Sequence, residues 1–166
     1  MSNAKKAIAI TLALVLIIVT AGVYGNMKQQ QQLLDNVNYI DNNIADIVLE
    51  IENDLNDMNA VGLNAKNEEL EVLQQEIIVM RDEYDKDETE YQMYEEINIT
   101  IDYLQEMIVI MIGLINNPYS AFLDTSLAQL ETYAEKVEEH KDNYEKLKDA
   151  LGIEQVEEVE IEVNEL

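Results

Sequence analysis

The one histidine of the chain, His140, is the first residue to consider for metal or proton-transfer chemistry. A di-iron carboxylate bundle needs a Glu three positions before its His, so that both side chains bind metal from successive helical turns. Position 137 is Val, and there is no second His. The absence of Cys removes thiolate ligands and a thiol nucleophile, and no Gly-rich phosphate loop occurs. The sequence therefore predicts no catalytic, cofactor-binding or metal-binding residue, and we interpret His140 as a surface helix residue.

Carboxylates are concentrated in the run Asp82–Glu90. Its six members are Asp82, Glu83, Asp85, Asp87, Glu88 and Glu90. The run lacks the turn glycine and the ordered ligand spacing of an EF-hand loop. We expect a solvated acidic surface that binds divalent cations weakly if at all.

Tyrosine is the third residue type with chemical potential, since the chain has nine Tyr and no Trp. Tyr84, Tyr91 and Tyr94 fall at the apolar positions of a helical repeat, and a buried tyrosine hydroxyl needs a hydrogen-bond partner. These rings either pack in a core or line a small-ligand groove between helices. A further motif, Asn98-Ile99-Thr100, marks Asn98 as a weak glycosylation sequon that has meaning only outside the cytoplasm.

Heptad spacing indicates which elements must position these side chains. Steps of three, four and seven residues are the pattern of helices that pack along a narrow apolar seam. The first seam is Leu33, Val37, Ile40, Ile44, Ile47 and Ile51; the second runs through Leu70, Leu73, Ile77 and Met80 to Ile97, Ile101, Leu104, Ile108, Met111 and Ile115; the third is Leu123, Leu130, Val137, Tyr144 and Leu151. Turns are predicted at Asn59–Ala65 and at Asn116–Pro118, and Gly152 is placed to end the last helix.

This pattern predicts an all-α fold, an antiparallel bundle of three long coiled-coil-like helices. The alternative is four helices with a break near Asp85–Glu88, where Asp87 and Glu90 fit an N-cap and its partner three residues on. The N-terminal hydrophobic helix is expected to be continuous, or nearly so, with the first bundle helix. Three regions follow: 1–28 as a signal-anchor or transmembrane segment, 29–152 as the helical bundle, and 153–166 as an acidic tail.

The N-terminal segment indicates where the protein resides. Lys5 and Lys6 precede Ala7–Gly25, an uncharged and mostly apolar run of 19 residues, and Lys28 follows it. As a helix this run is roughly 28 Å long, close to the thickness of a hydrocarbon core. Lysines on the N-terminal side favour a cytoplasmic N-terminus. We expect a single-pass cell-membrane protein with its body outside the cytoplasm; the alternative is a cleaved signal peptide and a secreted protein.

Charge and composition restrict the partners. The chain of 166 residues has 35 acidic and 10 basic side chains, a net charge of −25, so it repels phosphate backbones and nucleic acid is excluded as a partner. Its hydrophobic content of 48% is too high for a disordered chain. If the second seam faces one partner helix, Val109 and Ile110 point away from it, which predicts a second covering surface there.

These observations favour a non-catalytic, membrane-anchored extracytoplasmic module that binds another protein or assembles with itself. A ligand-binding or sensor bundle is the alternative that the tyrosines suggest. An enzyme is the least favoured class, because no nucleophile–base pair or metal constellation appears.

The anchor hypothesis makes a direct prediction. The full chain is expected to fractionate with membranes, because Ala7–Gly25 is apolar enough to cross one and Lys5 and Lys6 hold its start inside. Protease added to intact spheroplasts of an expressing bacterium should then remove the bundle. Complete protection of the bundle, or a soluble protein that retains residues 1–25, would contradict this topology.

Overall fold

The computed structural model describes residues 3–118 and 122–153, with side chains described from Gln30 onward. Four α-helices follow one another: α1 (Asn3–Asn56), α2 (Ala60–Arg81), α3 (Thr89–Asn116) and α4 (Leu123–Ala150). No β-strand occurs in the described residues, and the predicted all-α bundle is confirmed. The acidic tail lies outside the described residues except for Ile153, which is buried.

The chain divides into two units, Met1–Tyr39 and Ile40–Leu166. In the first unit the backbone is helical from Asn3 and belongs to α1. This confirms that the N-terminal segment continues into the first bundle helix without a break. The side chains of Lys5, Lys6 and Lys28 lie outside the described part of the chain.

The second unit contains four bundle helices rather than three, so the preferred three-helix prediction is wrong in helix number and the four-helix alternative is confirmed. α2 ends at Arg81, and α3 begins at Thr89. The reason is the acidic run between them, because adjacent like charges and aspartate both disfavour a continuous helix. The turn closes on itself at Asp85, whose backbone N–H donates to Glu88 Oε2 at 2.8 Å. Glu88 is the N-cap residue of α3, so the predicted cap at Asp87 is wrong.

The turn between α1 and α2 is also earlier than predicted. It occupies residues 57–59, and the predicted turn residue Gly62 lies in the first turn of α2. Asn59 caps that helix, with its side-chain oxygen accepting from the Gly62 N–H at 3.0 Å. A Cβ on Gly62 would overlap the carboxyl group of Asp54. Because this carboxyl group is the end of a flexible side chain, a larger residue at position 62 would require it to move aside.

The last helix ends as predicted at a glycine. Gly152 has φ of 70°, in the left-handed region where glycine carries no Cβ penalty. Its N–H donates to the Asp149 carbonyl at 3.0 Å, and the Ile153 N–H donates to the Lys148 carbonyl at 3.0 Å. These two bonds form a Schellman motif, which satisfies the last carbonyl groups of α4.

The core follows the predicted seams over most of their length. Burial removes an Ile or Leu side chain from water and stabilises the fold by roughly 1.5–3 kcal/mol per residue. The buried apolar side chains of this unit are Ile40, Ile47, Ile51, Leu63, Leu70, Leu73, Ile77, Met93, Tyr94, Ile97, Ile101, Ile108, Tyr144 and Ile153. Other seam positions are less well buried, above all those of α4. Leu123 is exposed, and the half-buried seam residues are Ile44, Met80, Leu104, Met111, Ile115, Leu130, Val137 and Leu151.

A base–acid pair joins each pair of neighbouring helices in this bundle. Lys66 of α2 pairs with Glu50 of α1, and Arg81 of α2 pairs with Glu95 of α3 at 2.6 Å. Two more pairs involve α4: His140 pairs with Glu96 of α3 at 2.7 Å, and Lys148 pairs with Asp41 of α1 at 2.8 Å. We call these four pairs the inter-helix ties. The order of contacts, α1–α2–α3–α4–α1, is that of an up-down-up-down bundle.

Salt is expected to stabilise this protein. Screening by salt weakens the four ties, and each tie that solvent reaches contributes about 0–1 kcal/mol to stability. Screening also relieves the repulsion among the 25 excess negative charges. Since the repulsion involves many more charges, the thermal midpoint of the full chain should rise by about 3 °C or more between low and moderate NaCl. An unchanged or lower midpoint in a calorimetric titration would show that the ties outweigh the repulsion.

Candidate functional site

One end of the bundle carries most of the exposed large apolar side chains. This end contains the α1–α2 turn and the α3–α4 connection, and we call it the apolar end. Its members are Val48, Leu49, Met58, Val61, Val109, Phe122, Leu123 and Leu127, all at least 37% exposed. Tyr39, Val72 and Val79 are the other exposed large apolar side chains of the described residues, and they lie away from this end. Single exposed apolar residues are ordinary, whereas eight of the eleven exposed large apolar side chains of the described residues lie toward this end.

An open groove of about 550 Å³ runs along the outer face of α3, between α2 and α4. We call it the α3 groove. Its lining is Asn67 from α2, Tyr133 from α4, and Ile99, Asp102, Tyr103, Gln105, Glu106 and Val109 from α3. The α3 members recur at steps of three and four residues, which place them on one helical face. The groove reaches the apolar end at Val109, so the two features adjoin.

Polar contacts hold the walls of the α3 groove. Gln74 Nε2 donates to Asp102 Oδ1 at 2.6 Å, and Gln105 Nε2 donates to the Asn67 carbonyl at 3.4 Å. The side-chain oxygen of Asn67 is buried and accepts no hydrogen bond within the chain. On the other wall, the rings of Tyr103 and Tyr133 lie 5.7 Å apart, tilted by 39°. The groove therefore combines carboxylates, amides and two aromatic rings.

His140 supports the α4 side of this groove. Its Nδ1 lies 2.7 Å from Glu96 Oε2, which also accepts from Asn143 Nδ2 at 3.4 Å. The imidazole stacks on Tyr103 with 5.8 Å between ring centroids. The side chain of His140 is 18% exposed, so the expectation of an ordinary surface position is wrong. Its contacts fix the position of Tyr103 beside the groove.

A second groove, of about 460 Å³, lies nearer the other end of α3 and has a different chemical character. Lys86 and Lys146 are among its lining residues, together with Tyr91 and Leu147. Its carboxylates come from Glu95 and Glu96, whose side chains already pair with Arg81 and His140. Bases and acids are thus both present in this groove, whereas the α3 groove has only acids among its charged lining residues.

A polar cluster joins α1 to α4 near the end of the bundle opposite the apolar end. Tyr144 donates to Asp41 Oδ1 at 2.9 Å, and Lys148 Nζ donates to Asp41 Oδ2 at 2.8 Å. Burial, reinforced by the Asp41 charge, raises the pKa of Tyr144. Burial is the largest single influence on Lys148 and would lower its pKa, but the hydrogen bonds and charges of Asp41 and Glu145 together outweigh it, so the pKa is raised. The cluster keeps Lys148 charged at 4% exposure.

Three site residues predicted from the sequence, Val109, Ile110 and Asn98, lie in different environments. Val109 is 56% exposed and lines the α3 groove, whereas Ile110 is half-buried. Asn98 is only 5% exposed in the middle of α3, and both polar atoms of its side chain are buried without a hydrogen bond. Addition of a glycan at Asn98 would therefore have to precede folding of α3 into the bundle.

The tyrosines singled out by spacing do not line the α3 groove. Tyr94 is fully buried and packs on Tyr84 with 5.9 Å between ring centroids, and Arg81 lies 5.1 Å from the ring centre of Tyr91. The two groove tyrosines, Tyr103 and Tyr133, were missed because they stand beside the seams rather than on them. Their pairing depends on the register of α3 against α4, which long-range contacts such as that of His140 with Glu96 fix.

Metal-binding groups and membrane-spanning helices are two further features that the described residues could contain. Within residues 30–118 and 122–153, no three acidic or histidine side chains are grouped so that they could hold a metal ion. In the same ranges one helix, α3, is long and apolar enough to cross a membrane by length and composition alone. It also packs on α2 and α4 through Asp102 and Glu96, as a core helix of a bundle does.

Comparison with protein-family models, with curated proteins and with solved structures finds no match to this chain. The function must therefore be argued from the surfaces described above.

The Asp41 cluster is expected to be a main support of the fold. Asp41→Ala removes the shorter of the two carboxylate contacts of the buried Lys148 ammonium, leaving only Glu145, and also removes the acceptor of the Tyr144 hydroxyl; it should lower the free energy of unfolding by about 3 kcal/mol. Asp46→Ala, on an exposed position of the same helix, is the matched control and should change it by less than about 0.5 kcal/mol. Urea unfolding measures both, and adding Lys148→Met to the first variant should recover most of the loss. Equal effects of Asp41→Ala and Asp46→Ala would show that the cluster contributes no more to the free energy of unfolding than an exposed aspartate does.

Proposed function

We propose that this protein is a non-catalytic helical module, anchored in the cell membrane by its N-terminal segment, which binds another protein through the apolar end of its bundle. The observation that carries the proposal is the concentration of exposed apolar side chains at that end. Phe122 is 71% exposed and Val61 is 81% exposed, which is far from the usual environment of large apolar residues. A partner that covers them would remove apolar surface from water and gain free energy.

The incomplete cover of α3 supports the same conclusion. Only 28% of the most apolar window of α3 is buried inside the chain. The sequence pattern required a second covering surface near Val109 and Ile110, and the four helices of one chain leave Val109 exposed. A bound protein would cover Val109 and the apolar surface around it.

Charge determines what kind of partner fits. Exposed acids border the apolar end, among them Glu52, Asp57 and Asp124. A second copy would bring the same acids and another −25 charge to the interface, which costs electrostatic energy. A partner with an apolar patch and a basic rim gains attraction instead, and we therefore favour a heterologous partner over self-assembly.

Anchoring rests on the sequence of residues 1–28. Ala7–Gly25 carries no charge, and Lys5 and Lys6 favour an N-terminus on the cytoplasmic side. With this orientation the bundle meets partners outside the cytoplasm. A secreted form, produced by cleavage of the same segment, would retain the same apolar end.

Ligand binding is a second candidate function, favoured by the α3 groove. Its volume of about 550 Å³ lies within the range of small-molecule sites, and Tyr103 and Tyr133 provide aromatic surface there. This function is compatible with protein binding, because the groove occupies the outer face of α3 and only Val109 is shared.

The apolar end is tested by paired surface variants of the full chain. Phe122→Ser/Leu127→Ser removes two exposed apolar side chains from this end, and Val72→Ser/Val79→Ser removes two from α2 elsewhere. Each single change should alter the free energy of unfolding by less than about 0.5 kcal/mol, since the residues are exposed. Chemical cross-linking in membranes, followed by mass spectrometry, should show a partner protein that is lost only in the first variant.

The outcomes of this comparison are distinct. Loss of the cross-linked partner in the first variant alone supports the proposal. Cross-links only between copies of this chain would replace the heterologous partner with self-assembly. Equal cross-linking of both variants would show that the apolar end is not the contact surface.

A further inference from the structure

We propose that the α3 groove binds alkylammonium groups, with the ammonium held by Asp102 and Glu106 and the methylene chain lying on Tyr133 and Val109. The proposal rests on the side chains that line the groove and does not depend on the membrane anchor or on the protein partner. It names a class of ligand, organic cations that carry a primary amine on an aliphatic stem.

The charge of the groove is the first argument. Asp102 and Glu106 are four residues apart on α3, so their side chains project from adjacent turns of one face. No basic residue is among the side chains described as lining the groove, and Lys136 near Tyr103 pairs with Glu139 at 2.5 Å. Asp102 already accepts a hydrogen bond from the neutral amide of Gln74, and an ammonium group between the two carboxylates would add the cationic partner that the described lining lacks. The groove is also in a protein whose net charge of −25 attracts cations from solution.

The aromatic wall is the second argument, and it distinguishes an organic cation from an inorganic one. Tyr103 is fixed between the imidazole of His140 and the ring of Tyr133, at 5.8 and 5.7 Å between ring centroids. Tyr133 packs against this fixed ring and lines the groove, so that it can carry a methylene chain on its own ring at little entropic cost. Val109, 56% exposed, extends the apolar surface along the groove. A hydrated metal ion would make no use of these surfaces.

An unsatisfied acceptor is the third argument. Asn67 lines the groove, and its Oδ1 is buried with no hydrogen-bond donor among the described residues. Buried acceptors of this kind are uncommon in folded proteins and call for a donor from water or a ligand. An ammonium group has three N–H donors, so a small adjustment of the Asn67 amide would let it serve this oxygen as well as a carboxylate.

The ligand class has two sources, a free diamine or a lysine side chain of a partner protein, and two probes separate them. The probes are 1,5-diaminopentane and lysine capped at both backbone ends, titrated by calorimetry against the full chain in a non-ionic detergent. Saturable binding of either probe is expected. Tighter binding of the diamine would indicate a free polyamine, and equal or tighter binding of the capped lysine would indicate a protein side chain.

Matched variants decide whether the groove is responsible. Asp102→Asn/Glu106→Gln is expected to weaken binding about fivefold or more, because each exposed ion pair contributes a fraction of a kcal/mol to about 1 kcal/mol. The control Glu71→Gln/Glu138→Gln removes the same charge from exposed positions outside the groove and should change affinity less than about twofold. Tyr133→Leu should weaken binding about two- to fivefold, whereas Tyr133→Phe keeps the ring and should preserve it.

Folding of every variant is checked by its helical circular dichroism and its urea midpoint, and Tyr133→Phe provides a variant with minimal structural change. Equal weakening by the groove pair and the control pair would reduce the effect to general charge attraction and overturn the proposal. Absence of saturable binding by both probes would overturn it as well. Neither result would affect the apolar end, whose cross-linking test uses different residues.

Discussion

Negative charge is the constraint on which the rest of this structure depends. With 35 acids and 10 bases, four helices cannot be brought together without placing carboxylates near one another. The chain places a base at each of the four helix–helix interfaces, so that each interface contains an attraction as well as a repulsion. The ties differ in environment. Lys148 is buried, Arg81 is partly covered, and Lys66 bonds acids of which at least half the side-chain surface is exposed. Because water weakens the attraction between exposed charges, the fold depends most on the buried tie between Lys148 and Asp41.

The placement of the ties also determines which surfaces remain available. α3 uses Glu95 toward α2 and Glu96 toward α4, two adjacent residues that point to different neighbours. Apolar residues such as Ile97 and Ile101 then face the core, and Asp102 and Glu106 are left on the outer face. The α3 groove is thus a consequence of how α3 is oriented between its neighbours. Its acidity follows because no Lys or Arg is among its described lining residues, whereas Lys86 and Lys146 line the second groove.

The sequence predicts the helices better than it predicts their ends and contacts. Heptad spacing identifies the buried positions of the seams, for example Ile40, Ile77 and Ile101, because burial repeats with the helical period. The number of helices was not decided by spacing, because Tyr84, Tyr91 and Tyr94 keep the period across the residues where the chain turns. The turn is decided instead by the local repulsion and hydrogen bonding of Asp85 and Glu88.

Of the candidate site, the sequence predicted Val109 and not its surroundings. Val109 stands out because an apolar residue opposite a seam violates the helical pattern. Tyr103, Tyr133 and Asn67 do not violate any pattern, and they come together only through the register of three helices. Register is fixed by long-range contacts such as His140 with Glu96, separated by 44 residues, and no local rule for spacing specifies such a contact. Sequence therefore indicates that α3 has a second face, whereas the chemistry of that face requires the structure.

Buried polar and exposed apolar side chains are separated along the bundle. The buried polar cluster of Asp41, Tyr144 and Lys148 lies toward one end, and most of the exposed apolar residues lie at the other. A buried residue such as Lys148 is constrained by Asp41 and cannot change alone without loss of stability. An exposed residue such as Phe122 contributes little to folding, so a change there should cost little stability. Under the proposed function, a partner that covers the apolar end would remove this surface from water, and the free energy gained there would come from binding and not from folding.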